Sequence, residues 1–326
     1  MLPQHHHILM LACVSAQLLA ASGVAASEQW PQRPLRMIVP FPAGSQSDVI
    51  ARVVGGRLAT QIGQQVVIDN RVGASGIIGM ELAKAAPPDG HTLMMATFAT
   101  FTLLPALKSP LPYNTERDFV ALTRVASSVF VMAVHPALGV NKVADLVTLA
   151  KAQPGKLNYG SSGNGAIQHL AGEMFNLQAG VKTTHVPYKG AVIALTDLIA
   201  GQIQFIVASP TIVVPQAKAA RLRILASTGA KRDALLAEYP TVAETLPGYE
   251  ITSWQGIVLP AGTPTAIVKR LYEEIFNAVQ TPALRESFAK QGVSALTESP
   301  AEFSAFIKSD RERMTQVARQ LVITLE

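Results

Sequence analysis

From Pro34 to about Leu259, short β-prone apolar runs alternate with runs of helical period, and this alternation restricts the chain to an α/β fold with mainly parallel sheets. Strands are expected at Leu35–Phe41, Gln65–Asp69, Thr92–Thr97, Val129–Val134, Leu157–Tyr159, Thr183–Val186, Ile203–Ala208, Arg223–Ser227 and Gly256–Leu259. After Thr263-Pro264 the rest reads as helix: Ala266–Gln280, Ala283–Gln291 and Pro300 onward. The run Val129–Val134 ends in His135-Pro136, and Arg223–Ser227 leads into Thr228-Gly229-Ala230. If the chain leaves one sheet near the first and returns near the second, residues 129–228 form an inserted domain and residues 27–128 with 229–326 form the other. A ligand would then sit where the strand ends and helix starts of both domains face a cleft.

Two turns carry the local chemistry. In "MIVPFPAGSQSDVIARVVGGRL" a strand passes through Gly44-Ser45-Gln46-Ser47-Asp48 into a helix whose Ile50, Val53, Val54, Leu58 and Ile62 make one apolar stripe. Ser47 and Asp48 are the cap candidates there. In "LNYGSSGNGAIQHLAGEMFNL" the plan repeats through Gly160-Ser161-Ser162-Gly163-Asn164-Gly165, with Ile167, Leu170, Ala171, Met174 and Phe175 on the stripe and His169 opposite it. The unsatisfied N–H groups of a helix start attract an anion. Neither turn has the Gly-Lys-Ser/Thr ending of a P-loop or the spacing of a dinucleotide fold, so no nucleotide cofactor is expected.

The first 26 residues hold no Lys, Arg, Asp or Glu, and the apolar run Ile8 to Ala21 is followed by Val24-Ala25-Ala26, the pattern of a cleavable export signal. The expected destination is the periplasm. The remaining 300 residues suffice for two domains and keep the net charge of +5, but the basic residues are scattered, which argues against a nucleic-acid partner. Histidines lack metal-site spacing, so no metal is expected.

The stretches "PLRMIVPFPAGSQSD", "VVIDNRVGASG", "PPDGHTLMMAT", "AKAQPGKLNYGSSGNGAIQHLAGEMF", "HVPYKGAVIALTDLIAGQI", "PTVAETLPGYE" and "SWQGIVLPAGTP" follow one another in the order and spacing of a known family. Over nearly the whole mature chain the sequence resembles the substrate-binding proteins of tripartite tricarboxylate transporters, the Bug family. The resemblance implies a two-domain periplasmic binding protein fold of type II that closes on a small organic carboxylate and delivers it to membrane permease subunits, without catalysis and as a monomer. It places Phe41, Ala43, Gly44, Ser45 and Asp48 on one wall of the pocket, Ser161, Ser162, Gly163, Asn164 and His169 on the other, and Thr97 as a further contact.

Three positions depart from the family pattern. Ser45 stands where Gly is usual, Ile77 where Asn is usual, and Gly201-Gln202-Ile203-Gln204 replaces a G-x-V-D motif. Gln204 is therefore expected at the far end of the ligand as a neutral amide, favouring ligands that lack an ammonium group. Two other functions use the same residues: a ligand-sensing subunit for a signalling partner, and a hydrolase built on Ser161 or Ser162 with His169 and Asp48. The sequence has no G-x-S-x-G elbow to support the hydrolase.

Overall fold

A computed structural model describes residues 30 to 320 apart from Ser109; the proposed export signal, residues 1–26, lies outside the described residues. In chain order the elements are β1 (Leu35–Val39), α1 (Gln46–Ile62), β2 (Val66–Asn70), α2 (Ile77–Lys84), β3 (Thr92–Thr97), α3 (Leu104–Leu107), β4 (Phe119–Val129), β5 (Val131–Val134), α4 (Val143–Ala152), β6 (Asn158–Ser161) and α5 (Ile167–Ala179). They continue as β7 (Thr184–Pro187), α6 (Ala191–Ile199), β8 (Phe205–Ala208), α7 (Pro210–Lys218), β9 (Arg223–Ser227), β10 (Thr252–Pro260), α8 (Thr265–Gln280), α9 (Pro282–Lys290), β11 (Ser294–Ala295) and α10 (Pro300–Gln320).

These strands make two sheets, ordered β11-β4-β10-β3-β1-β2 and β7-β6-β8-β5-β9. The α/β class holds, but the sheets are mixed. The pairs β2-β1-β3 and β7-β6-β8 are parallel, joined through α1, α2, α5 and α6. By contrast β4, β10 and β11 run antiparallel in the first sheet, as β5 does to β8 and β9 in the second. Parallel neighbours need a crossover helix, and the strands that carry the chain from one sheet to the other have none: only Phe130 separates β4 from β5.

Both faces of each sheet are covered, because alternate strand residues are apolar on both sides. In the first sheet Met37, Val39, Met95 and Ile257 pack with Ile50, Val54 and Leu58 of α1 and Leu271 and Ile275 of α8. On its other face Ile38, Met94 and Trp254 meet Met80, Phe101 and Phe303. Trp254 lies edge-on to Phe101, Phe303 and Phe306.

That second core continues without a break into the other sheet through Phe130 and Tyr249 to Met132, Tyr159, Phe175 and Phe205. The two chain crossings are tied together. Thr228 N donates to Phe130 O (2.9 Å), Phe130 N donates to Thr228 Oγ1 (2.8 Å), and Thr228 Oγ1 donates to Ile251 O (2.6 Å). Tyr249 Oη, from the returning segment, donates to Ala171 O of α5 at 3.0 Å. A paired backbone at both crossings fixes the strands that lead into and out of the second sheet.

Candidate functional site

The first turn is shaped by one buried carboxylate. β1 ends at Val39, Gly44 takes the left-handed conformation (φ +81°), and α1 begins at Gln46 with Ser45 as its cap, the Ser45 Oγ accepting from Asp48 N at 3.3 Å. The cap is thus Ser45, not Ser47 or Asp48, because its extended backbone (φ −65°, ψ 159°) leaves it just outside the helix. Asp48 turns inward. Its Oδ2 accepts from Gly44 N (2.9 Å) and Arg52 Nε (2.9 Å), and its Oδ1 accepts from Asn70 Nδ2 (3.0 Å), which also donates to Phe41 O (3.0 Å).

Burial alone would raise the Asp48 pKa, but the hydrogen bonds from Arg52, Gly44 and Asn70 together outweigh it and hold the group below the ordinary carboxylate range. Its oxygens are spent on the turn. Asp48 therefore shapes the turn that contains Phe41, Ala43, Gly44 and Ser45. The amides of Gln46 and Ser47, in the first turn of α1, have no intrahelical partner to donate to.

Thr97, the last residue of β3, lies level with Phe41, because β1 and β3 pair in parallel with Ile38 beside Met94. It is buried, and its Oγ1 accepts from Thr100 N at 3.2 Å and sits 3.1 Å from Thr100 Oγ1, so it also caps the turn that follows. Across from Thr97 on β10 is Gln255, a residue that apolar periodicity gives no reason to single out.

The second turn follows β6. Ser161 is buried, and its Oγ lies 2.9 Å from Gly163 O, 3.1 Å from Gly163 N and 2.6 Å from His185 Nε2. Ser162 Oγ donates to Gln168 Oε1 (2.9 Å). Gly163 and Gly165 both have positive φ (+136° and +70°), which lets the chain turn sharply between β6 and α5. Asn164 is exposed at the tip. His169 Nδ1 accepts from Gly165 N at 3.2 Å, and its ring stacks on His185 with centroids 3.8 Å apart and planes at 8°.

Beneath the pair lies Tyr159, stacked on His185 at 5.0 Å and donating to Glu173 Oε1 at 2.6 Å. A Cβ on Gly172 would stand 2.1 Å from that tyrosine ring, which is why α5 carries glycine where it crosses β6. His185 belongs to this site and was not foreseen there. The signal available was strand register: "THVP" pairs with "NYGS", which sets His185 beside Tyr159.

Gln204 is not with these residues. It precedes β8, its Oε1 accepts from Asn158 N (2.7 Å), and its backbone N donates to Asn158 O (2.9 Å), at the start of β6 and the opposite strand end from Ser161. The expectation that its amide faces the ligand is corrected: a parallel strand enters the sheet at one edge and meets the helix-start turns only at the other. The hydrolase arrangement is not assembled either. His169 pairs with Gly165 rather than a serine, and Asp48 is committed to its own turn.

The histidine pair makes the second turn acid-sensitive. Burial, then the neighbouring His169, pushes the His185 pKa down to about 4, and burial lowers that of His169, partly offset by Glu173. Because the unfolded imidazole takes its proton near pH 6.5 and the folded one only lower, stability is full above about pH 6.5 and falls as the pH drops towards 4. Both rings are partly exposed, so solvent screening limits the loss to on the order of 1 kcal/mol. Urea unfolding at pH 7.5 and 5 should show that loss in the wild type and a smaller one in His185→Gln; equal slopes in the two would refute this assignment.

Two mixed sheets joined by two crossings, each ending in a glycine/serine turn at a helix start, define the class of two-lobed solute-binding proteins. The family model "Tripartite tricarboxylate transporter family receptor" matches residues 50–323, and the chain belongs to that family. It is 37% identical over 88% of its length to a UPF0065 protein in the tcbD-tcbE intergenic region of Pseudomonas sp. (strain P51), covering 85% of that protein. It is 31% identical to Protein BugT of Bordetella pertussis, over 95% of this chain and 97% of the other. Among known structures, R. palustris Rpa4515 with adipate superposes with a TM-score of 0.74 at 33% identity, over 90% of this chain and 99% of that one. Receptors of this family are periplasmic solute-binding proteins, and among the described residues no helix is long and apolar enough to cross a membrane.

Proposed function

We propose that this protein captures a small organic carboxylate in the periplasm by closing two lobes on it, and delivers it to the permease subunits of a tripartite transporter. The lobes are residues 27–128 with 229–326, and residues 129–228; export uses the signal in residues 1–26. One carboxylate of the ligand meets the start of α1 within the wall of Phe41, Ala43, Gly44, Ser45 and Thr97. Ser161, Ser162, Gly163, Asn164 and His169 close over it from the other lobe, His185 setting the ring of His169. The protein acts as a monomer and turns nothing over.

The observation that carries this reading is the first turn. A buried, ionised Asp48 is spent on shaping backbone, which leaves the amides of a helix start free to donate, with no unspent acid or base in that turn. The bound adipate of the 33% identical relative supports a carboxylate as the cargo.

Thermal-shift screening against mono-, di- and tricarboxylates tests the proposal. A ligand at a hundred times its Kd stabilises the native state by about 2.7 kcal/mol, which for a protein of this size raises Tm by several degrees. Scattering with that ligand should show a smaller radius of gyration. No shift with any carboxylate, or hydrolysis of carboxylate esters, would refute the reading.

A further inference from the structure

Gln255 is the buried polar residue in this region whose hydrogen bonding the protein leaves incomplete. It is 3% exposed, sits on β10 opposite Thr97, and points to the same side of the sheet as Ile257, which packs against α1. Its Nε2 donates to Oε1 of Gln46, the first residue of α1, at 3.1 Å. Its Oε1 is fully buried with no protein partner. Such a carbonyl costs stability in the free protein unless a donor reaches it.

The two amides work as a unit. One hydrogen bond between them leaves one carbonyl and one amide N–H₂ to face a third group, and exchanging oxygen and nitrogen in both residues leaves the same pair of functions. That pair stands at the start of α1, where the proposed carboxylate binds, beside Thr97. A carboxylate oxygen accepts only, and would face the Gln255 carbonyl. An ammonium donates only, and would also stand at the positive end of α1. A hydroxyl satisfies both amides through one oxygen and carries no charge.

We infer that the Gln46 and Gln255 pair reads a hydroxyl on the ligand, so that the cargo is a hydroxycarboxylate and Gln255 is the residue that selects it. This rests on the carboxylate reading above and goes further, because an acid without the hydroxyl leaves a buried carbonyl unpaired in the closed complex. Discrimination against a missing partner for a buried polar group is stronger than discrimination by shape alone.

The test is calorimetric titration with matched acids differing only in a hydroxyl: malate with succinate, 2-hydroxyglutarate with glutarate, 2-hydroxyadipate with adipate, and the same comparison for whichever acid stabilises the protein most in the screen. The wild type should bind the hydroxyl form at least about tenfold more tightly in the series that fits. Gln255→Met, close to glutamine in volume, should abolish that ratio while binding the unsubstituted acid at least as well. Gln46→Ala, at a half-buried position, should reduce it without a folding burden.

Equal wild-type affinities within the fitting pair, an unchanged ratio in Gln255→Met, or a best ligand without any neutral donor and acceptor group would each overturn the inference and leave carboxylate capture standing. Failure of every carboxylate to bind would overturn both.

Discussion

Replacing Asp310 with alanine is expected to destabilise the protein by about 3–5 kcal/mol, the range for breaking a buried ionic network by removing one partner. Asp310 lies on α10 and is 4% exposed. Its Oδ2 accepts from Trp254 Nε1 at 3.0 Å and Thr102 Oγ1 at 2.8 Å, and its Oδ1 accepts from Arg313 Nη2 at 2.6 Å. Alanine leaves the indole and hydroxyl donors buried without acceptors and Arg313 with only the Glu250 carbonyl, while opening space beside the aromatic cluster of Trp254, Phe303 and Phe306. Asp310→Asn should lose less, since its amide oxygen still accepts from one or two donors. Urea unfolding measures both, and a loss under about 1 kcal/mol in the alanine variant would show that α10 is held by apolar packing alone. The consequence reaches the site, because β10 carries Trp254 and Gln255 as neighbours facing opposite sides of the sheet.

Asp48→Ala should separate stability from binding at the first turn. The variant loses the acceptor for Gly44 N, Asn70 Nδ2 and Arg52 Nε at once. Arg52 is half exposed and returns to water, so its share is small; the amide of Gly44 and the side chain of Asn70 are the groups left wanting. A stability loss of about 2–3 kcal/mol is expected, within the cost of unmade buried hydrogen bonds. Carboxylate affinity should fall by two orders of magnitude or more, since Gly44 and the start of α1 no longer hold one conformation and the ligand must order them. Titration of the acid found by screening, at a temperature where both proteins are folded, decides it. Unchanged affinity would remove the first turn from the binding site.

Much of the local structure was legible in the chain. The stripes of α1 and α5, the glycine/serine turns before them, and the strands Thr92–Thr97 and Arg223–Ser227 fall where apolar period and turn chemistry put them. β4, the longest strand, was not foreseen. "FVALTRVASSV" is broken by Thr123, Arg124, Ser127 and Ser128, and the first two find their partners far along the chain: Thr123 Oγ1 donates to Glu298 O at 2.8 Å, and Arg124 pairs with the Glu298 carboxylate. No window of neighbouring residues contains that compensation.

The candidate site divides the same way. Gly44, Ser45, Ser161, Ser162 and Gly163 were readable as a pair of helix-start turns, because a left-handed glycine and a capping hydroxyl act within four residues of themselves. Asp48 tied to Asn70, His185 stacked on His169, Gln204 at the strand end away from Ser161, and Gln255 beneath the start of α1 were decided by strand pairing. The sequence by itself determined which segments are helix and strand and where their ends carry donors, since those follow from backbone dihedrals, caps and apolar period over a few residues. Only the tertiary structure decided which ends share a site, because one residue of strand register moves a side chain to the other face and one reversal of direction moves it to the other edge of the sheet.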